Sequence, residues 1–519
     1  MNREPPESKL SAKKMLKIIL VVSFFLFLFL LLPLQIPWNS SIDRFIADKF
    51  GIKESDAPRT PSGLIDITSL TNDKLADGVT AENNIVVDYV QVFDGENVSV
   101  EFKNKFLRRL QLDSADGPNQ WVTWKQESDQ DIQDFEMAMS RPWLASENQA
   151  AHDWITANNG SLDQFVMASK KTHYYHPLIA AEDGNTLSCL LPYAQSAREA
   201  ARGLTARALN HVAKGDLDAA LADTAATRRL GFLMQQGGTL VENLVGMAMI
   251  GIASGAEAQI LASGKLTDQQ CSDYRQLIAQ TNGWSSLGST LKNGHQAFQL
   301  DAIQRLGNQG GYFDSVGLEP SGNIAVLNSL RSVTDWEQAA QVSDEFMTKL
   351  IEIFDTPDDA TRIQMLSDLE NEFKELQVHA DSVSGQASIL LGAGARGQLA
   401  GESVLLLLAP AVTQIDRAAV RTRQLSDFVD LGFALEQHRI ANGSFPADSS
   451  VLDRKYIAKL PIDRFTGNPI RYELMTTRTG YRLTSTYNDK VFDPNITPLD
   501  QAETGSDTMD DTTFTIVIE

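Results

Sequence analysis

AREAARGLTARALNHVAKGDLDAALADTAATRRL, residues Ala197–Leu230, is the stretch on which the fold reading turns. Its apolar residues recur at spacings of three and four, which gives each helix one inward-facing stripe. Both stripes are rich in alanine, and Gly215-Asp216 reads as the turn between them. Working outward, the same spacing runs through Leu187–Leu233, Leu240–Leu261, Asp268–Gln280, Asp335–Phe354 and Thr361–Val378. Gly237-Gly238, Ser263-Gly264 and Gly310-Gly311 are its clear interruptions. A mainly α chain is expected. Upstream the signals are mixed. Val98–Phe102 (VSVEF) alternates like a short strand, while Ala81–Phe93 fits helix or strand, because β-branched Ile85, Val86, Val87 and Val90 blur the period.

The hairpin resembles a single tetratricopeptide unit, with GDLDAALAD placing Ala219 and Ala220 at close-packing positions. Such repeats stack in threes or more. No second copy follows at that family's offset, so the stretch reads as a plain hairpin within a larger bundle. Leu240–Leu261 is apolar nearly all round, with Gly246, Gly251 and Gly255 along it. Only Asn243–Ala256 is free of charge, too short to cross a bilayer. A buried central helix is expected there, and Ser403–Ile415 fails the same length test.

A membrane anchor is expected elsewhere. IILVVSFFLFLFLLLPLQIPW, Ile18–Trp38, runs 21 residues without a charge. A helix of that length spans about 31 Å, against about 30 Å of hydrocarbon. Arg3, Lys9, Lys13, Lys14 and Lys17 crowd its N-terminal side, and Asp43 and Asp48 follow it. The positive-inside rule then makes residues 1–17 cytoplasmic and the bulk exterior, periplasmic in a two-membrane cell. A cleaved signal peptide needs a shorter apolar core and a small-x-small site. Pro33, Pro37 and Trp38 stand there instead. The expected organisation is cytoplasmic 1–17, anchor 18–38, polar linker 39–63, a mostly helical exterior domain at 64–400, and a C-terminal domain at 401–519.

At 519 residues there is length for two or three domains of about 150 residues each. A hydrophobic fraction of 43% permits a real core. The net charge of −22 lies entirely outside the basic N-terminus and repels nucleic acid. Cys189 and Cys271 fall in the part expected outside, where they read as buried apolar groups or as a pair.

LLLLAPAVTQIDRAAVRTRQLSDFVDLGFALEQHRIANGSFP, followed by LPIDRFTGNPIRYEL, resembles the globular region of the type II secretion pseudopilins, the major pseudopilin in particular. The resemblance covers about Val404–Glu519 and implies one long helix laid on a small antiparallel sheet. The residues point the same way. Asn442-Gly443 stops a helix, and Pro461 and Pro469 bracket a loop. Ile470–Met475, Gly480–Tyr487 and Thr513–Ile518 alternate as strands. The family's processing site, a glycine followed by Phe-Thr-Leu-Ile-Glu, precedes neither Ser403 nor Ile18. This implies a fixed pilin-like module rather than a fibre subunit. Some members bind calcium in the final loop; here Asn488, Asp489, Asp493, Asp510 and Asp511 offer oxygens without the dense spacing of a strong site. WLASENQAAHDWI, HYYHPL and GGTLVENLVGMAM are similar to segments of membrane-anchored bacterial proteins of unassigned activity.

Chemical motifs are scarce. His173 and His176 are a usable zinc pair only if a third ligand such as Glu182 or Asp183 converged, and Pro177 ends any helix at once. Gly392-Ala-Gly-Ala-Arg-Gly397 fits a dinucleotide loop, but Asp416 at the required distance falls within a helix, so a flexible joint is expected. No nucleophile elbow, phosphate loop or Cys-x-x-Cys is present. No catalytic, cofactor or metal residue is assigned. The sequence reads as a membrane-anchored envelope protein that binds other envelope proteins, a non-enzymatic scaffold, secretion-related; the alternative is a membrane-tethered hydrolase.

Overall fold

The computed structural model describes residues 42–93, 98–180, 185–186, 189–281, 287–308, 329–381, 392–452, 456–475, 479–485 and 512–518. The expected anchor Ile18–Trp38 and its flank 1–17 lie outside these residues, as do Glu182, Asp183 and the acidic loop from Asn488 to Asp511. The chain is mainly helical, with one small antiparallel sheet near its C-terminus. It divides into two compact units. The smaller takes the chain up to Asp66, Gln299–Phe346 and Glu370–Ala409; the larger takes Ile67–Phe298, Met347–Leu369 and Pro410–Glu519.

In the smaller unit, the stretch expected as a polar tether is ordered from residue 42. Helix α1 (Ile42–Lys49) buries Ile46 and Ala47 completely. Arg59 then reaches back to the Asp43 carboxylate at 2.5 Å, and the Thr60 N–H donates to the Leu64 carbonyl at 2.8 Å. Two turns of helix carry too few apolar residues for their period to stand out from polar neighbours. The Gly392–Gly397 run is no flexible joint either. It opens a continuous helix, Ala393–Asn442, that runs through Pro410 and contains the boundary expected at 400/401. A Cβ at Gly397 would meet the Asp335 carbonyl oxygen at 2.1 Å, and one at Gly401 the Ala339 oxygen at 2.7 Å. These glycines serve close helix packing.

The larger unit begins with α2 (Ile67–Leu75), α3 (Val86–Phe93) and α4 (Val100–Arg109). The ambiguous Ala81–Phe93 is helical from Val86, and Val98–Phe102, expected as a short strand, enters a helix at Val100. The Ser99 hydroxyl accepts the Phe102 N–H and starts α4, whose Phe102, Phe106 and Leu107 are buried. Burial of Val86, Val87 and Val90 overrides the weak helix preference of β-branched residues. Next come α5 (Asp129–Ser140), α6 (Gln149–Ala157) and α7 (Asn159–Ala168), which share a core of Trp143, Trp154 and Phe165.

The hairpin quoted at the outset forms α8 (Pro192–Lys214) and α9 (Leu217–Met234). Gly215 ends α8 at φ 79°, and the Asp216 carboxylate accepts the Ala219 N–H to start α9. Ala197, Ala200, Ala201, Ala206 and Ala208 are fully buried along α8. Helix α10 (Leu240–Ala262) packs on the hairpin. It is long and apolar enough to cross a membrane, yet two thirds of its apolar window is buried in the fold, as a central core helix requires. Gly231 and Gly246 meet face to face, each leaving room for the other's carbonyl oxygen.

A second core gathers α11 (Asp268–Thr281), the C-terminal half of Ala393–Asn442 and the sheet. Strands β1 (Arg471–Leu474), β2 (Thr479–Ser485) and β3 (Thr512–Ile518) pair antiparallel in that order. Tyr481 stands opposite Leu474 on one side and Ile516 on the other. Tyr481, Leu483, Phe514 and Ile516 bury one face against Phe428 and Phe433. A Cβ at Gly432 would strike the Tyr481 hydroxyl at 2.9 Å, so the missing side chain sets how closely sheet and helix approach. Gly443, at φ 81°, ends the helix where Asn442-Gly443 predicts.

Candidate functional site

Two of the singled-out segments, HYYHPL and GGTLVENL, meet in the larger unit. Residues 172–180 lie in no helix or named strand, and beyond a single bridge from His173 to Asn84 their backbone needs other partners. Two asparagines supply them. The Asn84 amide donates to the Tyr175 carbonyl at 2.9 Å and accepts its N–H at 3.0 Å. Asn72 does the same for Leu178, at 2.7 and 2.8 Å, and also accepts the Tyr175 hydroxyl at 3.2 Å. Each amide imitates the edge of a β-strand.

Held this way, Tyr174 points its hydroxyl at the Glu242 carboxylate, 3.0 Å away. Glu242 sits in the first turn of α10, where Thr239 and Glu242 form a capping box. The carboxylate accepts the Thr239 N–H at 2.9 Å and the Thr239 hydroxyl at 2.7 Å. Glu242 is 1% exposed, and burial pushes its carboxyl up to about 7 against these hydrogen bonds. Burial and the neighbouring Glu242 also raise Tyr174 well above its usual range, so it is a neutral donor. A carboxyl poised near neutrality beside a phenol can hold or release a proton. Its hydrogen-bonding sites are, however, largely taken by the chain itself.

A π-helical turn, Leu291–His295, packs against Gly238, the residue before the capping box. A Cβ at Gly294 would lie 1.9 Å from the Gly238 carbonyl oxygen. We expect Gly294→Ala to destabilise the unit by about 3 kcal/mol, at the upper end for overpacking, because backbone rather than a flexible side chain must move. Thermal unfolding checks this; an unchanged midpoint would mean the turn has slack.

Several other buried charges pair within the fold. Arg228 donates to both Glu257 carboxylate oxygens at 2.8 and 2.6 Å, and to the Ser426 and Ser254 hydroxyls. The Tyr274 hydroxyl donates to the same Glu257 at 2.7 Å. Arg207 clamps Asp223 with two bonds, at 2.8 and 2.7 Å, and so ties α8 to α9. Asp359 accepts from Arg362, Arg423 and Arg464. Burial alone would raise its carboxyl, but the three guanidiniums outweigh burial and hold it below the usual value.

The sequence candidates fall apart in space. His173 is half-buried with its ring 2.8 Å from the Thr172 hydroxyl. His176 is buried between Phe106 and Tyr193, where burial holds it down to about 3 and therefore neutral. No group of three metal-ligating side chains occurs among the described residues. Asp416 lies in the long helix and takes a 2.7 Å bond from Arg362. Cys189 and Cys271 are not joined by a disulfide, and burial pushes Cys271 up to about 12, which keeps it protonated and unreactive.

Comparison with known families, characterised proteins and solved structures finds no match. The arrangement must therefore be read from its own chemistry. Thr239-x-x-Glu242 is a visible capping signature, so the carboxylate's helical role was legible. Its partner Tyr174, 68 residues away, was not.

Proposed function

We propose that the chain is a non-catalytic envelope scaffold, tethered through Ile18–Trp38 with its acidic bulk outside, that binds other envelope proteins. The observation that carries this reading is the closure of the buried charges. Arg228–Glu257, Arg207–Asp223 and the Asp359 hub turn their charges on one another within the fold. Such knots fix helix against helix and suit a rigid binding platform better than a site that must engage substrate. The long helix running into a three-stranded sheet supports a pilin-like module reused at 401–519. Its β1 edge, with Leu474 exposed, suits recognition of a partner strand.

Glu242 favours a second reading, a tethered hydrolase, because a carboxyl near neutrality is suited to general acid–base work. Cross-linking the intact protein in cells distinguishes the two. The scaffold reading expects a discrete complex with envelope proteins that survives Glu242→Gln and is lost with Leu474→Arg. A lone monomer under all conditions, or a hydrolytic activity abolished by Glu242→Gln, overturns it.

A further inference from the structure

Gln235 follows α9 as its C-terminal cap and is 1% exposed, yet neither the oxygen nor the nitrogen of its side chain has a hydrogen-bond partner. Asn243 is fully buried, and its side-chain oxygen is also without one. Buried polar groups in folded proteins are almost always paired, with protein or with an ordered small molecule. These two are neighbours. The Asn243 amide nitrogen donates to the main-chain carbonyl of Gln235 at 3.4 Å and to the buried Thr290 hydroxyl at 3.0 Å. A Cβ at Gly246 would lie 2.9 Å from the Gln235 Cγ, so the glutamine lies against α10 one turn beyond Asn243.

We propose that Gln235 and Asn243 frame a closed binding site for a small neutral polar molecule, in the crease between the end of α9 and the first turns of α10. The occupant must both donate and accept, because the unpaired groups are an amide N–H₂ and two carbonyl oxygens. An anion is disfavoured, because the Glu242 carboxylate already occupies the capping position of this helix start. Water and a small amide share the required chemistry.

Gln235→Met in the intact protein is the test. Methionine matches glutamine in length and removes only the amide, which bonds to nothing in the chain itself. An occupied site loses the occupant's hydrogen bonds, and Tm falls by about 2–4 °C or more. An unchanged or raised Tm overturns the proposal, because deleting an unpaired buried amide from a dry crease relieves a penalty. Acetamide titration identifies the source. A rise in the wild-type Tm that Gln235→Met abolishes points to an exchangeable amide-type solute; no rise points to water. If the variant fails to fold, electron density in wild-type crystals decides. A peak within hydrogen-bond distance of the Gln235 amide supports the site, and an empty crease overturns it.

Discussion

Arg228→Met is expected to cost about 3–5 kcal/mol of stability, the largest single loss in the larger unit. Both Arg228 and Glu257 are 0% exposed. Removing the guanidinium leaves a carboxylate without water, and Tyr274 is its one remaining donor among the described partners. The cost is therefore the unpaired charge rather than the value of the bond. That distinction has a consequence. Adding Glu257→Gln to Arg228→Met removes the stranded charge and keeps an acceptor for Tyr274, so the double variant is expected to recover at least half of the loss. Denaturation midpoints of the wild type, both single variants and the double variant measure this. A single-variant loss below about 1 kcal/mol would mean the pair is solvated and does not tie these helices together.

Glu242→Gln is expected to stabilise the protein at alkaline pH and to flatten its pH dependence. The carboxyl titrates near 7 in the fold, against an ordinary value of 4.5. Since the folded value is the higher one, the fold favours the protonated form. This contribution is complete below pH about 4.5 and is lost as pH rises through about 7. At pH 8 the ionised, fully buried carboxylate then costs about 3 kcal/mol relative to the acid form. Glutamine keeps the capping box and cannot ionise. Wild type and variant should therefore lie closest near pH 5, diverge as pH rises towards about 7 and hold a nearly constant gap by pH 8, with the variant the more stable. Parallel profiles across that range would show that Glu242 ionises freely.

Much of the fold was legible, for identifiable reasons. The α8–α9 hairpin announced itself because alanine at a regular spacing and a Gly-Asp turn leave few alternatives. The sheet was legible from strict alternation at Tyr481 and Leu483 and at Phe514 and Ile516. Helix α10 was separable from a membrane span because its uncharged stretch is short. The failures share a cause. In α3 and α4 local preference and burial disagreed, and burial won. In α1 the element was too short for a period to show. At Gly397 and Gly401 composition suggested freedom, whereas the neighbouring helix backbone makes glycine a packing requirement.

The candidate site was less legible than the fold. HYYHPL and GGTLVENL drew attention as segments, but what matters is their meeting, and tertiary distance leaves no local trace. Asn72 and Asn84 looked like ordinary polar residues; they act as substitutes for a missing strand. Arg228 and Glu257, 29 residues apart, gave no sign of being one unit.

The proposed scaffold requires that Ile18–Trp38 hold the acidic helical body outside the cell membrane. Protease accessibility of a C-terminally tagged chain tests this most directly. Protease added to sealed spheroplasts should remove the tag and the bulk of the chain, while inverted vesicles protect both. Protection in spheroplasts with cleavage in inverted vesicles would contradict the orientation, and release of the intact chain by alkaline carbonate would contradict the anchor itself.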